Sequence, residues 1–513
     1  VTLTNSTVSG NTVNAFGGGI YGNGAVTLTN STISGNTALN GGGIYSNGAV
    51  TLTNSTVSGN TAKANGGGIY GNGTMMLTNS TVSGNTATNG NGGGIFDIST
   101  VTLTNSTISG NTAKLNGGGI YGNGTMTLTN SIVSGNTSDS NGGGIYGSGV
   151  VTLTNSTVSG NTAVNNGGGI YDISAVTLTN STVSGNTAAA DGGGIWGSNG
   201  GTIANSTITN NTADADNNGT GNGGGIFRNS STFTIRNSII AGNFDLGLQA
   251  PDLASNTAGV GFANGGNNLI GANDGFAATF PTSSLIGTIA NPINPQLAPL
   301  GNYGGTTQTH ALLPNSPALD AGNNANAPVG NDQRGATRIF GGTVDIGAFE
   351  SQGFSLTPLA NSTPQSTNIN TSFAQLLGVQ VTENFVNSTI PASNILVTFA
   401  PPSSSASGSF VGNASVLTNN LGIAVAPTFT ANGVSGSYTV AATATGLTPA
   451  SFSLTNAANK VDGFGGVFPS REDLEGLAPR LDEQALEVSF SQVLCLDSSL
   501  ANAQNTSIPI CKK

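Results

Sequence analysis

The chain has 513 residues, of which only 6% are charged, and its formal net charge is -11. Ordinary soluble domains carry about 25% charged residues, so Thr, Ser and Asn must supply most of the surface polarity. The eleven Lys and Arg residues form no basic stripe, which argues against nucleic acid as a partner. No stretch reaches the roughly 18 apolar residues that a membrane-spanning helix needs, so we expect no transmembrane segment.

The first half of the chain is organised around nine copies of Gly-Gly-Gly-Ile. These copies begin at Gly17, Gly41, Gly66, Gly92, Gly117, Gly142, Gly167, Gly192 and Gly223. A variant of Val-Thr-Leu-Thr-Asn-Ser-Thr-Val-Ser-Gly-Asn, seen whole at residues 1–11, precedes each copy, and the unit repeats every 24 to 26 residues up to an insertion at residues 213–222. A fixed period of this length is typical of a solenoid.

Within the unit, apolar residues such as Val1 and Leu3 alternate with polar ones, which is the pattern of a strand with one buried face. The repeated Gly, Asn, Thr and Val disfavour helix, and Thr and Val favour strand. We therefore predict an all-β parallel β-helix with three short strands in each coil and three parallel sheets. The strands are expected at residues 1–6, 8–12 and 19–22, and the regular coils at residues 1–243.

Aligned units place asparagines in columns. Two columns begin at Asn5 and Asn11 and continue through every coil, and a third comprises Asn40, Asn65, Asn116, Asn141 and Asn166, with Asp191 substituting once. Stacked amides can donate to one neighbour and accept from the other, and Asn tolerates the left-handed backbone of a sharp corner. We predict structural amide ladders; the alternative for the Asn-Ser-Thr triplets is glycosylation.

An aromatic residue follows the inward Ile of every coil and should face outward by alternation. We call this set the aromatic strip: Tyr21, Tyr45, Tyr70, Phe96, Tyr121, Tyr146, Tyr171, Trp196 and Phe227. Two interpretations stay open. Tyr and Trp are enriched where proteins meet partners, which favours a ligand-binding strip, but stacked aromatic residues also stabilise neighbouring strands by about 0.2–1 kcal/mol per pair.

Acidic residues are the candidate catalytic groups of a carbohydrate-active enzyme. Asp97 and Asp172 share a column but lie three coils apart, about 14 Å at the strand spacing, whereas glycosidase carboxylates lie about 5 to 9.5 Å apart. Asp214 and Asp216 share one loop and are the best remaining candidates, although such a pair is more often merely solvated. Lys114 and Asp139 share a column in adjacent coils and should form a surface ion pair.

The single histidine, His310, lies among apolar and hydroxyl residues, and we expect a packed structural role instead of a catalytic base. A charged set comprises Asp320, Asp332, Arg334, Arg338, Asp345 and Glu350. Ion pairs that fasten a terminal segment explain this set more simply than a site does. No Ser-His-Asp constellation and no metal-ligating cluster is apparent, so the sequence predicts no catalytic residue, no metal site and no cofactor.

The repeats resemble those of polymorphic outer membrane proteins and related autotransporter passengers, whose hallmark motifs are Gly-Gly-Ala-Ile and Phe-x-x-Asn. The counterparts here are Gly-Gly-Gly-Ile and Val8-Ser9-Gly10-Asn11. The resemblance covers roughly the first half of the chain and implies a right-handed parallel β-helix on a secreted bacterial surface protein. The departure is Val or Ile where that family has Phe, which suggests a slimmer coil.

Residues 244–350 are expected to contain irregular final coils and a closing segment. The segment resembles the choice-of-anchor Q module of predicted surface proteins in Gly-Asn-Tyr-Gly-Gly-Thr at 301–306, Ser-Pro-Ala-Leu-Asp-Ala-Gly at 316–322, Asp-Gln-Arg-Gly at 332–335 and Asp-Ile-Gly-Ala-Phe-Glu at 345–350. The resemblance implies that this segment closes the C-terminal end of the β-helix and that the protein works outside the cytoplasm.

Residues 354–457 read as alternating strands separated by Pro, Gly and Asn turns, which predicts a β-sandwich. The stretch resembles the invasin and intimin type of bacterial immunoglobulin-like domain in Val-Thr-Phe at 397–399, Gly-Ser-Phe at 408–410 and Gly-Ser-Tyr-Thr-Val at 436–440. The resemblance implies a stalk module. Residues 458–513 form a charged tail of unknown role, which holds both cysteines, Cys495 and Cys511, as a disulfide or as two free thiols.

Together these patterns predict a non-enzymatic extracellular protein of the bacterial surface, associated with the outer membrane, with an adhesin or structural role. Its expected partners are surface glycans or other cell-surface proteins. The alternative is a β-helix polysaccharide lyase or hydrolase. Because Val1 falls in the middle of a repeating unit, we also expect the sequence to be a fragment or a processed product.

Overall fold

The computed structural model describes residues 1–256, 261–273, 280, 285–385, 388–403 and 405–459, with backbone alone for 385 and 388–391. Within these ranges, residues 1–286 form a parallel β-solenoid and residues 354–457 form a second β-sheet region. Both belong to one compact unit, residues 1–457. The charged tail beyond residue 459, with Cys495 and Cys511, lies outside the described residues, so the disulfide stays a prediction.

Each regular coil contributes strands to four parallel sheets in the described part of the chain. The first sheet contains Thr2–Thr4, Val26–Thr29, Val50–Thr53, Met75–Thr78, Val101–Thr104, Met126–Thr129, Val151–Thr154, Val176–Thr179, Gly201–Ala204, Phe233–Arg236 and Ala263–Gly266. The second contains Thr7–Ser9, Thr32–Ser34, Thr56–Ser58, Thr81–Ser83, Thr107–Ser109, Ile132–Ser134, Thr157–Ser159, Thr182–Ser184, Thr207–Thr209, Ile239–Ile240, Leu269–Ile270 and Leu285–Ile286.

The third and fourth sheets complete the coil. The third contains Thr37–Ala38, Thr61–Ala62, Thr86–Ala87, Thr112–Ala113, Thr137–Ser138, Thr162–Ala163, Thr187–Ala188, Thr212–Ala213 and Phe244–Asp245. The fourth contains Ile20–Gly22, Ile44–Ser46, Ile69–Gly71, Ile95–Asp97, Ile120–Gly122, Ile145–Gly147, Ile170–Asp172, Ile195–Gly197, Ile226–Arg228 and Leu253–Ser255.

The prediction of three sheets is wrong, because the expected strand at residues 8–12 is divided. Gly10 has a φ of +69°, a left-handed conformation that turns the chain after Ser9, and Thr12 then pairs with Thr37 in the row of the third sheet. A second corner is built by the glycine triplet. A Cβ on Gly18 would lie 2.3 Å from the Gly42 carbonyl oxygen, so a side chain there would separate the coils.

The solenoid core is a set of stacked apolar columns. In one coil the inward residues Val26, Leu28, Ile33 and Ala38 are all fully buried, and each lies beside the equivalent residue of the next coil. Fully burying such a Val, Leu or Ile side chain contributes about 1.5–3 kcal/mol. Because the coils repeat similar inward residues, the first sheet keeps its register up to Phe233–Arg236, where the pairing with Ala263–Gly266 shifts.

The asparagine columns form the predicted ladders. In the column of Asn11, the backbone N–H and the Nδ2 of Asn36 both donate to Asn60 Oδ1, at 2.9 and 3.0 Å. The column of Asn5 has φ near +49° and longer contacts of 3.2 Å between exposed amides, such as Asn30 Nδ2 to Asn5 Oδ1. The third column also includes Asn91, which the sequence comparison missed because its loop is one residue longer.

Residues 297–350, which we call the side segment, lie along the side of the last coils. Thr307 Oγ1 donates to the Asn155 carbonyl at 3.0 Å, and Asn180 Nδ2 donates to the Asn331 carbonyl at 2.9 Å. This segment contains the 3-10 helix Asn324–Asn326 and isolated bridges. Its position differs from the expected closure across the C-terminal end, because the outward Asn and Thr side chains of the second sheet offer hydrogen bonds along the coils.

The C-terminal sheet region contains a four-stranded sheet, a five-stranded sheet and a strand pair among the described residues. The first comprises Phe354–Pro358, Gly378–Phe385, Ser388–Pro391 and Ile423–Val425; the second Gln365–Asn368, Leu396–Ala400, Ser415–Leu417, Gly436–Thr443 and Ala450–Ala457; the pair Gly408–Phe410 and Phe429–Ala431. Val379, Val397 and Phe452 belong to one buried core that these sheets share, as in a sandwich. Its immunoglobulin-like identity stays a prediction.

The buried ladder generates a stability prediction. Replacing Asn111 by Ala removes the acceptor for the Asn85 backbone N–H and Nδ2, at 2.9 and 3.0 Å. Since an unsatisfied buried donor costs about 1–3 kcal/mol, we expect unfolding free energy to fall by on the order of 3 kcal/mol, measured by urea denaturation. The matched control is Asn105→Gly in the exposed ladder, where glycine accepts the left-handed backbone; equal losses in both variants would contradict the prediction.

Candidate functional site

The aromatic strip occupies the middle position of each strand in the fourth sheet up to Phe227. Its rings stack on one another with centroid distances from 4.2 Å, between Tyr171 and Trp196, to 6.5 Å, between Trp196 and Phe227. The interplanar angles within the strip run from 3° to 19°. Phe16 adds a further ring, 4.8 Å from Tyr45, which the sequence missed because Phe16 stands outside the repeated column.

The strip is less exposed than alternation alone indicates. Tyr21 is 47% exposed, but Phe96 and Phe227 are buried at 8% and 6%, so the expectation that all nine face solvent is wrong for these two. Phe227 packs against Ala250 and Ala254. Phe96 lies between the rings of its two neighbours at 4.8 and 5.0 Å and lacks the hydroxyl that would extend it into solvent.

The stacking decides which part of each ring a ligand can reach. Because neighbouring rings cover both faces of the inner members, their edges and hydroxyl groups are the parts that meet solvent. The Tyr21 hydroxyl donates to Asn23 Oδ1 at 2.7 Å, and Asn72 Nδ2 donates to the Tyr45 hydroxyl at 3.3 Å. The strip therefore offers a row of hydrogen-bonding groups at the coil spacing, and sugar stacking on ring faces is not available inside it.

Asp97 and Asp172 share a column three coils apart, as predicted, but they point into the core. Both are fully buried, and in each the Oδ1 accepts a backbone N–H two residues later while the Oδ2 has no partner. Burial raises the pKa of both carboxyls to about 7. The alternation of side chains along the strand could have predicted this orientation, since Asp97 lies two residues after the inward Ile95. The inward orientation rules out Asp97 and Asp172 as a catalytic pair on the surface.

These carboxyls generate a prediction about pH. An acid whose pKa is higher in the folded chain binds more protons when folded, so stability is greatest below the ordinary value of 3.8 and falls as pH rises toward about 7. The loss is at most about 4 kcal/mol per carboxyl, since one pKa unit is worth about 1.4 kcal/mol. Replacing both by Asn should flatten this fall, measured as the urea midpoint between about pH 4 and about pH 8.

Asp139→Asn, at the exposed position directly after Thr137–Ser138, is the matched control for the loss of a surface carboxyl and should retain the fall that the double variant loses. Asp252, Asp345 and Glu350 also have pKa values raised by burial, to about 7, 6 and 8, so part of the slope should persist in the double variant. An unaltered slope in the Asp97 and Asp172 double variant would refute the prediction.

Asp214 and Asp216 do not converge. Asp214 is buried, and its carboxylate accepts the backbone N–H groups of Asn218 and Gly219 at 3.0 to 3.2 Å. Asp216 is exposed and bonds the Asn218 side chain. The acidic neighbour of Asp214 is instead Asp245. Both carboxylates lie close to Gly247, where an added Cβ would be 2.8 Å from Asp214 Oδ2 and 3.1 Å from Asp245 Oδ1.

Asp191 completes an acidic cluster with Asp214 and Asp245. Burial, together with the charge of Asp245, raises the pKa of Asp191 to about 6. Asp245 accepts the N–H groups of Gly247, Gln249 and Ala250, so its carboxylate caps a turn. The sequence comparison missed Asp245, although its pairing with Ala213 in the third sheet follows the repeat. In the described ranges no group of three or more His, Cys, Asp and Glu could hold a metal ion.

His310 is buried, which confirms the packed structural role. Its Nδ1 lies 2.8 Å from the Ala298 carbonyl and its Nε2 lies 2.8 Å from Ser184 Oγ. Since a carbonyl accepts only, Nδ1 donates and Nε2 accepts the serine hydroxyl proton. This is the geometry of a nucleophile and base, which the sequence could not show across 126 positions, but both residues are about 2% exposed or less and no substrate reaches them.

The charged set fastens the side segment, as the sequence indicated. Asp332 and Arg334 form a buried ion pair at 2.8 Å, and the guanidinium lies 3.4 Å over the Phe349 ring. Arg338 donates to Asn205 Oδ1 at 3.1 Å, which joins the segment to the solenoid. Glu383 of the second sheet region accepts the Gln352 N–H at 2.9 Å. Asp320 is exposed, and its backbone N–H donates to Asp345 Oδ1 at 2.7 Å.

The coil register is confirmed by Lys114 and Asp139, whose Nζ and Oδ2 lie 2.6 Å apart on the surface.

The helices of the described residues include none that is long and apolar enough to span a bilayer.

Comparison with known proteins gives one match. The model of a family described as Right handed beta helix region matches residues 18–188 and 144–284. These two spans together cover residues 18–284, which is more than half of the chain. No curated protein and no solved structure gives a significant match.

Proposed function

The chain belongs to the right-handed beta helix family, and from that premise we propose that it is a non-enzymatic protein of the bacterial cell surface, associated with the outer membrane. The β-helix would serve as a rigid passenger or stalk with an adhesin or structural role, followed by the sheet region as a spacer. The observation that carries this proposal is the unbroken aromatic strip on the fourth sheet. The sequence resemblances to surface proteins support the extracellular location.

A long, stiff solenoid suits a surface role because its coils hold each outward column in place without a loop that must become ordered. Preorganised groups lose little freedom on binding. Surface glycans, or another cell-surface protein, would meet the tyrosine hydroxyls and ring edges between Tyr21 and Trp196. Burial raises the pKa of the inner tyrosines, including Tyr121, Tyr146 and Tyr171, so these hydroxyls remain protonated donors.

The strip is tested by replacing Tyr121, Tyr146 and Tyr171 together by Ser. If the strip binds, adhesion of the purified protein to a glycan array or to cells should be lost while the melting temperature changes little. The control is a triple replacement by Ala on another face of the solenoid, at Thr56, Thr81 and Thr107 of the second sheet. A large fall in melting temperature with adhesion intact in the folded fraction would leave only a stabilising ladder.

The second candidate is a carbohydrate-active enzyme, and the acidic cluster of Asp191, Asp214 and Asp245 is the observation that favours it. Hydrolases and lyases need carboxylates that meet at one bond. Against this, each carboxylate of the cluster accepts backbone N–H groups, a structural use that explains it without a substrate.

We expect no release of unsaturated or reducing ends when the protein is incubated with uronate and neutral polysaccharides, with and without calcium. Asp214→Asn, Asp245→Asn and Asp216→Asn serve as matched variants, the last at the exposed position. Product release that Asp214→Asn or Asp245→Asn abolishes, and that Asp216→Asn leaves intact, would establish the enzyme and overturn the proposal.

A further inference from the structure

The first sheet presents two ranks of threonine to solvent. In each strand the apolar residues point inward, as Val26 and Leu28 do, and the alternate positions point outward. One rank comprises Thr2, Thr27, Thr51, Thr102, Thr127, Thr152, Thr177 and Thr202; the other comprises Thr4, Thr29, Thr53, Thr78, Thr104, Thr129, Thr154 and Thr179. From Thr2–Thr4 to Val176–Thr179, Met76 is the one outward residue that is not threonine.

The two ranks form a regular lattice. The strands pair without a register shift, so that Thr27 lies beside Thr51 and Thr29 beside Thr53, and the same holds from coil to coil. The lattice repeats at about 4.8 Å across the strands and about 6.7 Å along them. Threonine is stiff at χ1, so each position holds a hydroxyl and a methyl group in a restricted orientation.

This face is neutral and open. Its outward positions carry no charged side chain before Arg236, so it offers nothing to a charged ligand. The side segment covers the second sheet from Thr157 onward. It touches the corner beside the first sheet at Asn155, Asn180 and Asn205 without crossing onto the first sheet. The remaining outward threonines are partly exposed and not covered by another part of the described chain.

We propose that the two threonine ranks of the first sheet form a binding site for ice. The outer layer of an ice crystal is likewise a regular two-dimensional lattice of hydrogen-bonding oxygen atoms. The hydroxyl groups can take the place of lattice water molecules while the methyl groups sit between them. Because the sheet is rigid and already ordered, the cost of immobilising water is shared over many coils.

The chemistry of the face distinguishes ice from the other candidates. A peptide strand needs a free sheet edge, and sugars need ring faces or convergent polar groups, neither of which this face provides. A flat neutral crystal of water requires the repeated hydroxyl and methyl groups that are present. The site lies on a different face from the aromatic strip, so the ice proposal and the adhesion proposal succeed or fail separately.

The test uses the full chain in two assays, partition into slowly growing polycrystalline ice and inhibition of ice recrystallisation in sucrose. The wild type should enter the ice and inhibit recrystallisation. Thr102→Tyr with Thr127→Tyr should abolish both effects, because bulky rings break the plane. Thr56→Tyr with Thr81→Tyr, at equivalent outward positions of the second sheet, should leave both effects unchanged. Circular dichroism and the melting temperature check the fold of each variant.

A gain-of-function variant makes the test independent of disruption. Met76 is 47% exposed and interrupts one rank, so Met76→Thr completes the lattice and should strengthen the inhibition of recrystallisation. The proposal would be overturned if the wild type is excluded from ice in the same way as a control globular protein. It would also be overturned if the second-sheet variant loses ice partition and recrystallisation inhibition as fully as the first-sheet variant does. No gain from Met76→Thr, with the fold intact, would also count against it.

Discussion

The buried asparagine ladder that begins at Asn11 is the interaction on which the other columns depend. Each amide oxygen accepts the backbone N–H and the side-chain N–H of the preceding coil, as Asn60 does for Asn36, and its nitrogen donates to a carbonyl such as that of Ile33. A sharp corner would otherwise bury backbone groups without partners, at about 1–3 kcal/mol each. Because the ladder fixes one coil against the next, aromatic rings and threonines fall into straight rows.

Much of this architecture is readable from the sequence because the repeat is so regular. The period alone gives the columns, and the pairing of Lys114 with Asp139 follows from them. The third sheet was missed since a strand of two residues, such as Thr37–Ala38, has no alternation to detect. The position of the side segment was predicted wrongly because its contacts join the repeats to a sequence that is not repeated, as between Asn180 and Asn331, 151 positions apart. A repeat pattern carries no information about which non-repeated residues contact it.

The same difference between repeated and non-repeated sequence decides which candidate sites could be predicted. The aromatic strip was visible because it is repeated, whereas the Ser184 and His310 pair and the Asp214 and Asp245 pair depend on single contacts between distant parts of the chain. The inward orientation of Asp97 is a third case. A carboxyl in an apolar column breaks the expectation that charged residues face solvent, and the core accepts it because raising its pKa keeps it neutral at mildly acidic pH.

The regular coils give each sheet its own surface chemistry. The first sheet presents threonines, the second threonine and serine, and the fourth aromatic rings, while their inward residues are nearly the same in every coil. A substitution in one coil changes a small part of a row, so function on such a surface must arise from many weak and equivalent contacts. Extended or crystalline partners match this arrangement better than small molecules do, because a small molecule can contact only one or two coils and gains nothing from the remaining ones.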